Sequence, residues 1–242
     1  MPIEMNRNSG FRKGVLPGGA RLLVTTRPHV SSVAIGFWFE AGSRDETKSE
    51  AGLTHVLEHM IFKGTARRSA RDIAREADAV GGHLNAFTSR ENLCAYGTFP
   101  LIHWAVGLDL ITDIVRHARL APKDLALERQ VILEEMRMNE DAPDDAAMDG
   151  LYKTTLSGHP LGRPIIGTAE VVGGVSAPTL RRFRERAFQD KNLIISIAGP
   201  VSYAQGEAKL RSFHVNGRVH ARTEKPEPSG QPVFRADVTR LE

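Results

Sequence analysis

The pattern of apolar and polar positions predicts a chain that mixes strands with helices. Alternation over four to eight residues indicates a half-buried strand, whereas recurrence every three or four residues indicates a helix. Strands are predicted at residues 21–26, 32–41, 84–89, 93–99 and 193–198. Helices are predicted at residues 53–62, 70–80, 101–116, 123–140, 144–156, 177–187 and 203–213. This order predicts an α+β fold: an antiparallel-rich mixed sheet with helices packed mainly on one face.

Composition adds size and environment to this picture. With 242 residues, 41% of them hydrophobic, the chain can bury a large core. It has one cysteine, Cys94, which excludes an internal disulfide and fits a reducing compartment. Cys94 lies in a predicted strand, so we expect a small core residue rather than a nucleophile.

Other sequence features bear on location and partners. There is no run of 18 apolar residues, so we expect no membrane span and no membrane partner. Residues 1–14 lack the apolar segment of a secretory signal, so a cytoplasmic, bacterial-like location is predicted. The net charge is only +3, and the arginines of residues 181–186 have few aromatic neighbours. We therefore expect a solvated helix face there and no nucleic-acid partner.

The segment His55-Val56-Leu57-Glu58-His59 carries the strongest chemical signal. Residues four apart share one face of a helix, so both imidazoles can reach a single metal ion. Glu58 precedes the second histidine and projects near the same face. This HxxEH order is a zinc peptidase signature, and two neutral histidines suit zinc. The competing interpretation of the motif alone is a helix with polar residues on its surface.

A third ligand is expected because catalytic zinc usually has three protein ligands and one open position. The helix that follows Pro122 offers Glu128 and Glu135, which lie two turns apart and share a face. Val131 and Ile132 lie between them, so this face is expected to be at least partly buried. Glu134 is rotated about 100° from Glu135 and is expected to face solvent or to stand behind the ligands.

Four blocks in order resemble the pitrilysin, insulinase and mitochondrial processing peptidase family, in particular its bacterial processing-peptidase-like members. The resemblance extends over roughly residues 12–215, and the spacing of the blocks matches the family pattern. The blocks are His55–Thr65, Gly81–Glu91, Glu128–Glu135 and His159–Thr168.

The resemblance implies roles for individual residues. It implies that His55, His59 and Glu135 bind one Zn²⁺ per chain and that Glu58 is the general base. It also implies that Glu128 is a carboxylate that contacts a ligand rather than the metal. A strand at Asn85, Ala86, Phe87 and Thr88 would bind substrate, because an extended peptide can add to an edge strand by main-chain hydrogen bonds.

The expected activity is that of a zinc-dependent endopeptidase that hydrolyses extended or unfolded peptides. Zinc makes its bound water acidic, and Glu58 takes the proton as the water attacks the scissile carbonyl. The alternative is a non-catalytic binding or scaffold subunit of the same fold, which has no reason to keep His55, Glu58, His59 and Glu135 together. A structural zinc site is disfavoured because it would need a fourth ligand, commonly cysteine.

Members of the family usually carry two homologous halves, and the second half supplies an Arg/Tyr pair near the zinc. None of Tyr96, Tyr152 and Tyr203 stands in such a setting. We therefore expect residues 1–214 to form an N-terminal catalytic domain and residues 215–242 to form a linker towards a second half. That half, or a partner subunit in a dimer, is the expected protein partner.

Overall fold

The structure, a computed structural model, describes residues 10–215, and its central feature is one sheet of six strands. In sheet order these are β1, β2, β6, β3, β5 and β4. Four of the five neighbouring pairs are antiparallel and only β2 with β6 is parallel, so the predicted antiparallel-rich mixed sheet is confirmed. The strands are β1 Phe11–Val15, β2 Arg21–Thr26, β3 Ser32–Phe39, β4 His83–Thr88, β5 Leu93–Pro100 and β6 Leu193–Gly199.

Eight α-helices accompany the sheet in the described part of the chain. They are α1 Leu53–Ile61, α2 Ala70–Ala79, α3 Trp104–His117, α4 Pro122–Asp141, α5 Pro143–Thr155, α6 Ala169–Gly174, α7 Ala177–Ala187 and α8 Tyr203–Leu210. Helix ends follow local chemistry: Ser69 and Asp72 form a capping box on α2, and Pro122 occupies the first turn of α4.

Two short elements of the structure, β1 and α6, were not predicted from the sequence pattern. β1 lies at one edge of the sheet, where β2 is its one neighbouring strand. Its five residues are all exposed or half-buried. The run of α6 is six residues long and ends in Gly173 and Gly174, which are poor helix formers. Neither segment therefore has a periodic pattern that could be recognised.

The two faces of the sheet differ in what covers them. Side chains on one face are buried under the helices; they include Leu22, Val24, Val33, Ile35, Phe37, Phe39, Ile195 and Ile197. The opposite face carries Trp38, Phe87 and Tyr96, which pack edge to face at 5.6 and 5.9 Å between ring centroids. Cys94 pairs in register with Trp38 and Phe87 and is fully buried. Burial raises the pKa of its thiol to about 12, so it is a structural residue.

Buried groups anchor the start of α1. The Glu46 carboxylate accepts hydrogen bonds from the Gly52 and Thr54 amides at 2.8 and 2.7 Å and from the Thr54 hydroxyl at 2.7 Å. Arg163 donates to the Glu46 carbonyl oxygen at 2.6 Å. Gly52 has φ +97°, and a Cβ there would lie 2.5 Å from the Ile166 carbonyl oxygen. The segment around residues 159–168 thus packs against the N-terminus of α1 and fixes its position.

One prediction about the arginines of α7 is wrong in part. Arg184 is only partly exposed, and it donates to the carbonyl oxygens of Val115 and Arg116 at the C-terminal end of α3. Cations are stabilised at that end of a helix, which explains the contact. Arg186 instead pairs with Glu50 at 2.8 Å on the surface.

Within residues 10–215, no helix combines the length and the apolar character that crossing a bilayer requires. The predicted linker at residues 215–242 lies outside the described residues except for Val215. Val215 is buried, and its amide donates to Asp190 at 2.7 Å.

Candidate metal centre

The helix α1 presents His55 and His59 on one side, as the spacing of the motif predicts. Their ring centroids are 4.7 Å apart. Both rings are largely shielded, with 12% and 20% of the side chain exposed. The opposite side of α1 is apolar and packs in the core through Val56, Leu57, Met60 and Ile61. Burial of that side holds the histidines at the surface of the helix that faces α4.

Glu135 on α4 completes a group of three possible ligands. One oxygen lies 3.7 Å from His55 Nε2, and the other lies 3.6 Å from His59 Nε2. Ligand atoms of His55, His59 and Glu135 all lie within 4.8 Å of one another. Two imidazoles and one carboxylate are a donor set that binds zinc and leaves a position open for a water or substrate. The residues therefore fit the metal that the motif predicts.

The electrostatic environment keeps His55 in the form that binds metal. Burial, followed by the neighbouring His59, lowers the pKa of His55 to about 4. At neutral pH the ring is uncharged and a nitrogen lone pair is available. His55 Nδ1 is buried without a hydrogen-bond partner among the described residues.

His59 has direct support that His55 lacks. Its Nδ1 lies 3.1 Å from Glu128 Oε2, and Glu128 is 7% exposed. Lys63 Nζ lies 2.7 Å from the other oxygen of the same carboxylate. Glu128 therefore contacts His59 and does not belong to the group of three possible metal ligands. Lys63, which stands four residues after His59, is a residue that sequence reasoning missed.

The residues around Glu135 match the prediction for α4 in part. Ile132 is fully buried as expected, but Val131 is 52% exposed, so the prediction that it contributes to a buried face is wrong. Val131 lies about 100° around the helix from Ile132, beyond the strip of α4 that packs on the domain. Glu134 is exposed and pairs with Arg137 at 2.6 Å, so it stands apart from the metal ligands.

Glu58 lies on the same helix and is held by β4. Its Oε2 accepts a hydrogen bond from the Thr88 hydroxyl at 2.6 Å. Burial raises the pKa of Glu58, while the Thr88 hydrogen bond and His59 oppose that rise. A carboxylate with a raised pKa is closer to the range in which it can both accept and return a proton.

The predicted substrate residues lie on β4, which is an edge strand of the sheet. Their side chains alternate: Ala86 and Thr88 face α1, whereas Asn85 and Phe87 face the other side. The Asn85 side chain accepts a hydrogen bond from the Ala86 amide at 2.8 Å, so this amide is paired within β4 itself. Of these four described residues, Thr88 is the one whose side chain donates a hydrogen bond to the HxxEH motif, and sequence reasoning did not foresee that contact.

Comparison with known proteins agrees with the geometry. The sequence profile described as "Insulinase (Peptidase family M16)" matches residues 21–169, which include α1, β4 and α4. An uncharacterized zinc protease of Mycobacterium leprae is 38% identical over 220 residues, which are 91% of this chain and 49% of the relative. The uncharacterized zinc protease YmxG of Bacillus subtilis is 40% identical over 224 residues, 91% of this chain and 54% of the relative.

The crystal structure of a protease from Helicobacter pylori has the same fold. It superposes with a TM-score of 0.84 at 22% identity and covers 93% of this chain and 55% of its own. This chain spans about half the length of the curated relatives that it matches. The profile match and the shared identity show that the chain belongs to the insulinase family of zinc proteases, peptidase family M16.

Proposed function

We propose that this chain carries the catalytic centre of a zinc endopeptidase that hydrolyses extended or unfolded peptides. The observation that carries the proposal is the convergence of His55, His59 and Glu135, with ligand atoms within 4.8 Å, beside the carboxylate of Glu58. A binding or scaffold subunit has no need for a general base next to a metal-binding triad.

His55, His59 and Glu135 would hold the metal, with one ion per chain. When bound, zinc supplies a Lewis acid that polarises a carbonyl and increases the acidity of water. Glu58 accepts the proton of the attacking water and passes it to the nitrogen of the departing amine. Thr88 occupies one oxygen of Glu58, which leaves the other oxygen to take the proton. Glu128 orients His59 through Nδ1.

The substrate would dock on β4 as an added strand. Its main chain would pair with the free edge of Asn85, Ala86, Phe87 and Thr88, which recognises an extended backbone more than a particular sequence. The Ala86 amide would exchange its Asn85 partner for a peptide carbonyl. Since Thr88 ends this strand and contacts Glu58, a peptide on β4 would lie alongside the general base.

We also propose that residues 1–214 form the catalytic domain and that residues 215–242 connect it to a second homologous half or partner subunit. The chain matches about half the length of its curated relatives, which supports this division.

The proposal is tested by measuring metal content. We expect about one zinc per chain in protein purified without chelators and analysed by mass spectrometry for metals. The double variant His55→Ala, His59→Ala provides the control and should hold none. A zinc content near zero in the wild-type chain, prepared with zinc present, would refute the proposed function.

A further inference from the structure

Lys63 is placed to act on the metal centre without contacting it. It follows the C-terminal end of α1, four residues after His59, and its side chain is 36% exposed. Its ammonium group lies 2.7 Å from Glu128 Oε1. A cation is favoured at this end of a helix by the helix dipole, so the position itself is stabilising.

Glu128 uses both of its oxygens. One receives Lys63, and the other faces His59 Nδ1 at 3.1 Å. Glu128 is 7% exposed, and a buried carboxylate is costly unless it is paired. Among the described residues, Lys63 is the one cation that forms an ion pair with Glu128 by its side-chain nitrogen.

We propose that Lys63 is a positioning residue for the zinc ligand His59, acting through Glu128; this rests on the proposed zinc site. With Nδ1 of His59 donating to Glu128, the proton is on Nδ1 and the lone pair on Nε2 points towards Glu135. Lys63 holds the carboxylate in the orientation that selects this tautomer and this ring position.

Two physical effects of Lys63 on zinc have opposite signs, which makes the inference easy to refute. A positive charge near a dication repels it, so simple Coulomb repulsion predicts that removing Lys63 tightens zinc binding. Loss of positioning predicts weaker binding, because partners behind a metal-bound histidine typically contribute about 10- to 100-fold to affinity. We expect the loss of positioning to have the larger effect on zinc affinity. The ammonium group is partly exposed to water, and its charge is therefore screened from the metal.

The experiment measures the zinc dissociation constant of the full 242-residue chain by competition with a chromophoric chelator. Lys63→Met should bind zinc roughly tenfold more weakly. Lys63→Arg, which keeps the charge, should stay close to wild type. Lys123→Met removes an exposed lysine from the helix that carries Glu128 and Glu135, and it should have no effect. Circular dichroism checks the fold, and Lys63→Gln replaces Lys63→Met if the latter does not fold.

A second comparison tests whether Lys63 acts through Glu128. In a Glu128→Gln background, the Lys63→Met change should alter zinc affinity by less than twofold, since no carboxylate remains to be held. Unchanged or tighter binding by Lys63→Met, or an equal loss in both backgrounds, would overturn the inference. A wild-type chain that binds no zinc would instead refute the proposed function.

Discussion

Thr88, the last residue of the edge strand β4, donates a hydrogen bond to Glu58 Oε2 over 2.6 Å. The bond joins the strand proposed to bind the peptide to the carboxylate proposed to move the proton. It also fixes one rotamer of a partly buried side chain, so the second oxygen of Glu58 has a defined direction.

The first prediction concerns this hydroxyl. Thr88→Val keeps the shape of the side chain but removes the donor, so Glu58 loses its orientation. We expect kcat for a quenched fluorescent peptide to fall about 10- to 100-fold, a range typical of a lost positioning contact. KM and zinc content should change little, because neither the strand backbone nor the ligands are altered.

Thr88→Ser is the matched control for this measurement, since it restores the hydroxyl and should recover most of the activity. The assay uses this chain joined to the proposed second half, with which the proposed substrate surface would be complete. Equal rates for the valine and serine variants would contradict the assigned role.

The parts of the fold that sequence could predict are those where local chemistry and burial agree. α1 and α2 carry clear periodicity and, for α2, the Ser69 cap, so their bounds are within a residue or two of the prediction. β1 was not predicted because Arg12, Lys13 and Gly14 interrupt its five residues, which leaves no alternation of apolar and polar positions. The two proposed metal-binding histidines are four residues apart on one helix, which makes their proximity a local property.

Without the resemblance, contacts between segments distant in sequence could not be predicted. Nothing in the pattern of residues 41–50 indicates that Glu46 reaches the first amides of α1. Likewise, the pairing of Glu128 with Lys63 depends on how α4 packs against α1, and the Thr88–Glu58 bond depends on the register of β4. Such contacts are set by tertiary packing and leave no periodic signal.

The second prediction separates ligand from base. Glu58→Gln should retain zinc but abolish peptide hydrolysis, because an amide can still accept the Thr88 hydrogen bond but cannot take a proton. Glu135→Gln should weaken zinc binding directly, since a neutral amide is a poorer ligand than a carboxylate. Zinc content and peptide turnover are measured on the same preparations.

Glu134→Gln serves as the control for Glu135→Gln, because Glu134 is adjacent in sequence but exposed and paired with Arg137. It should behave as wild type in both assays. Zinc loss on changing Glu134 but not Glu135 would show that the assignment along α4 is wrong.

The third prediction concerns pH and Glu46. Burial raises the pKa of this carboxyl to about 7 from an ordinary value of 4.5, despite three donors. A carboxyl whose pKa is higher in the folded state binds more protons when folded. It therefore contributes stability at pH below 4.5 that is lost as the pH rises through about 7. The contribution amounts to about 3 kcal/mol.

His55 acts in the opposite direction, since its folded pKa of about 4 makes stability rise with pH up to its ordinary value of 6.5. The informative quantity is thus the difference in unfolding free energy between wild type and Glu46→Gln, measured in urea from pH 5 to 8 on zinc-free protein. As the pH increases, the wild type should lose unfolding free energy relative to Glu46→Gln. Glu50→Gln is the control: the pKa of Glu50 is lowered, so it titrates below this window. If the difference did not vary with pH, the prediction that Glu46 titrates with a raised pKa in the folded protein would be wrong.

The last prediction is that the 242-residue chain is a slow peptidase on its own. The proposed site is open: Glu135 is 39% exposed, and apolar side chains on α4 lie on the surface, with Leu127 at 62% and Met138 at 66%. His55, His59, Glu135 and Glu58 would all be present, so we place the defect in holding the peptide. Losing such contacts costs several kcal/mol of transition-state stabilisation, and about 1.4 kcal/mol corresponds to tenfold in rate.

The measurement compares kcat/KM for one quenched peptide in three forms: this chain, an extended form that adds the proposed second half, and a mixture of this chain with that half expressed separately. We expect the extended form to exceed the isolated chain by at least about a hundredfold, with the mixture between them. Glu58→Gln in the extended form should remove the activity, which assigns the turnover to the centre on this chain. If the isolated chain matched the extended form, the peptide would need no contacts beyond those of β4 and the metal centre, and dependence on a second half would be wrong.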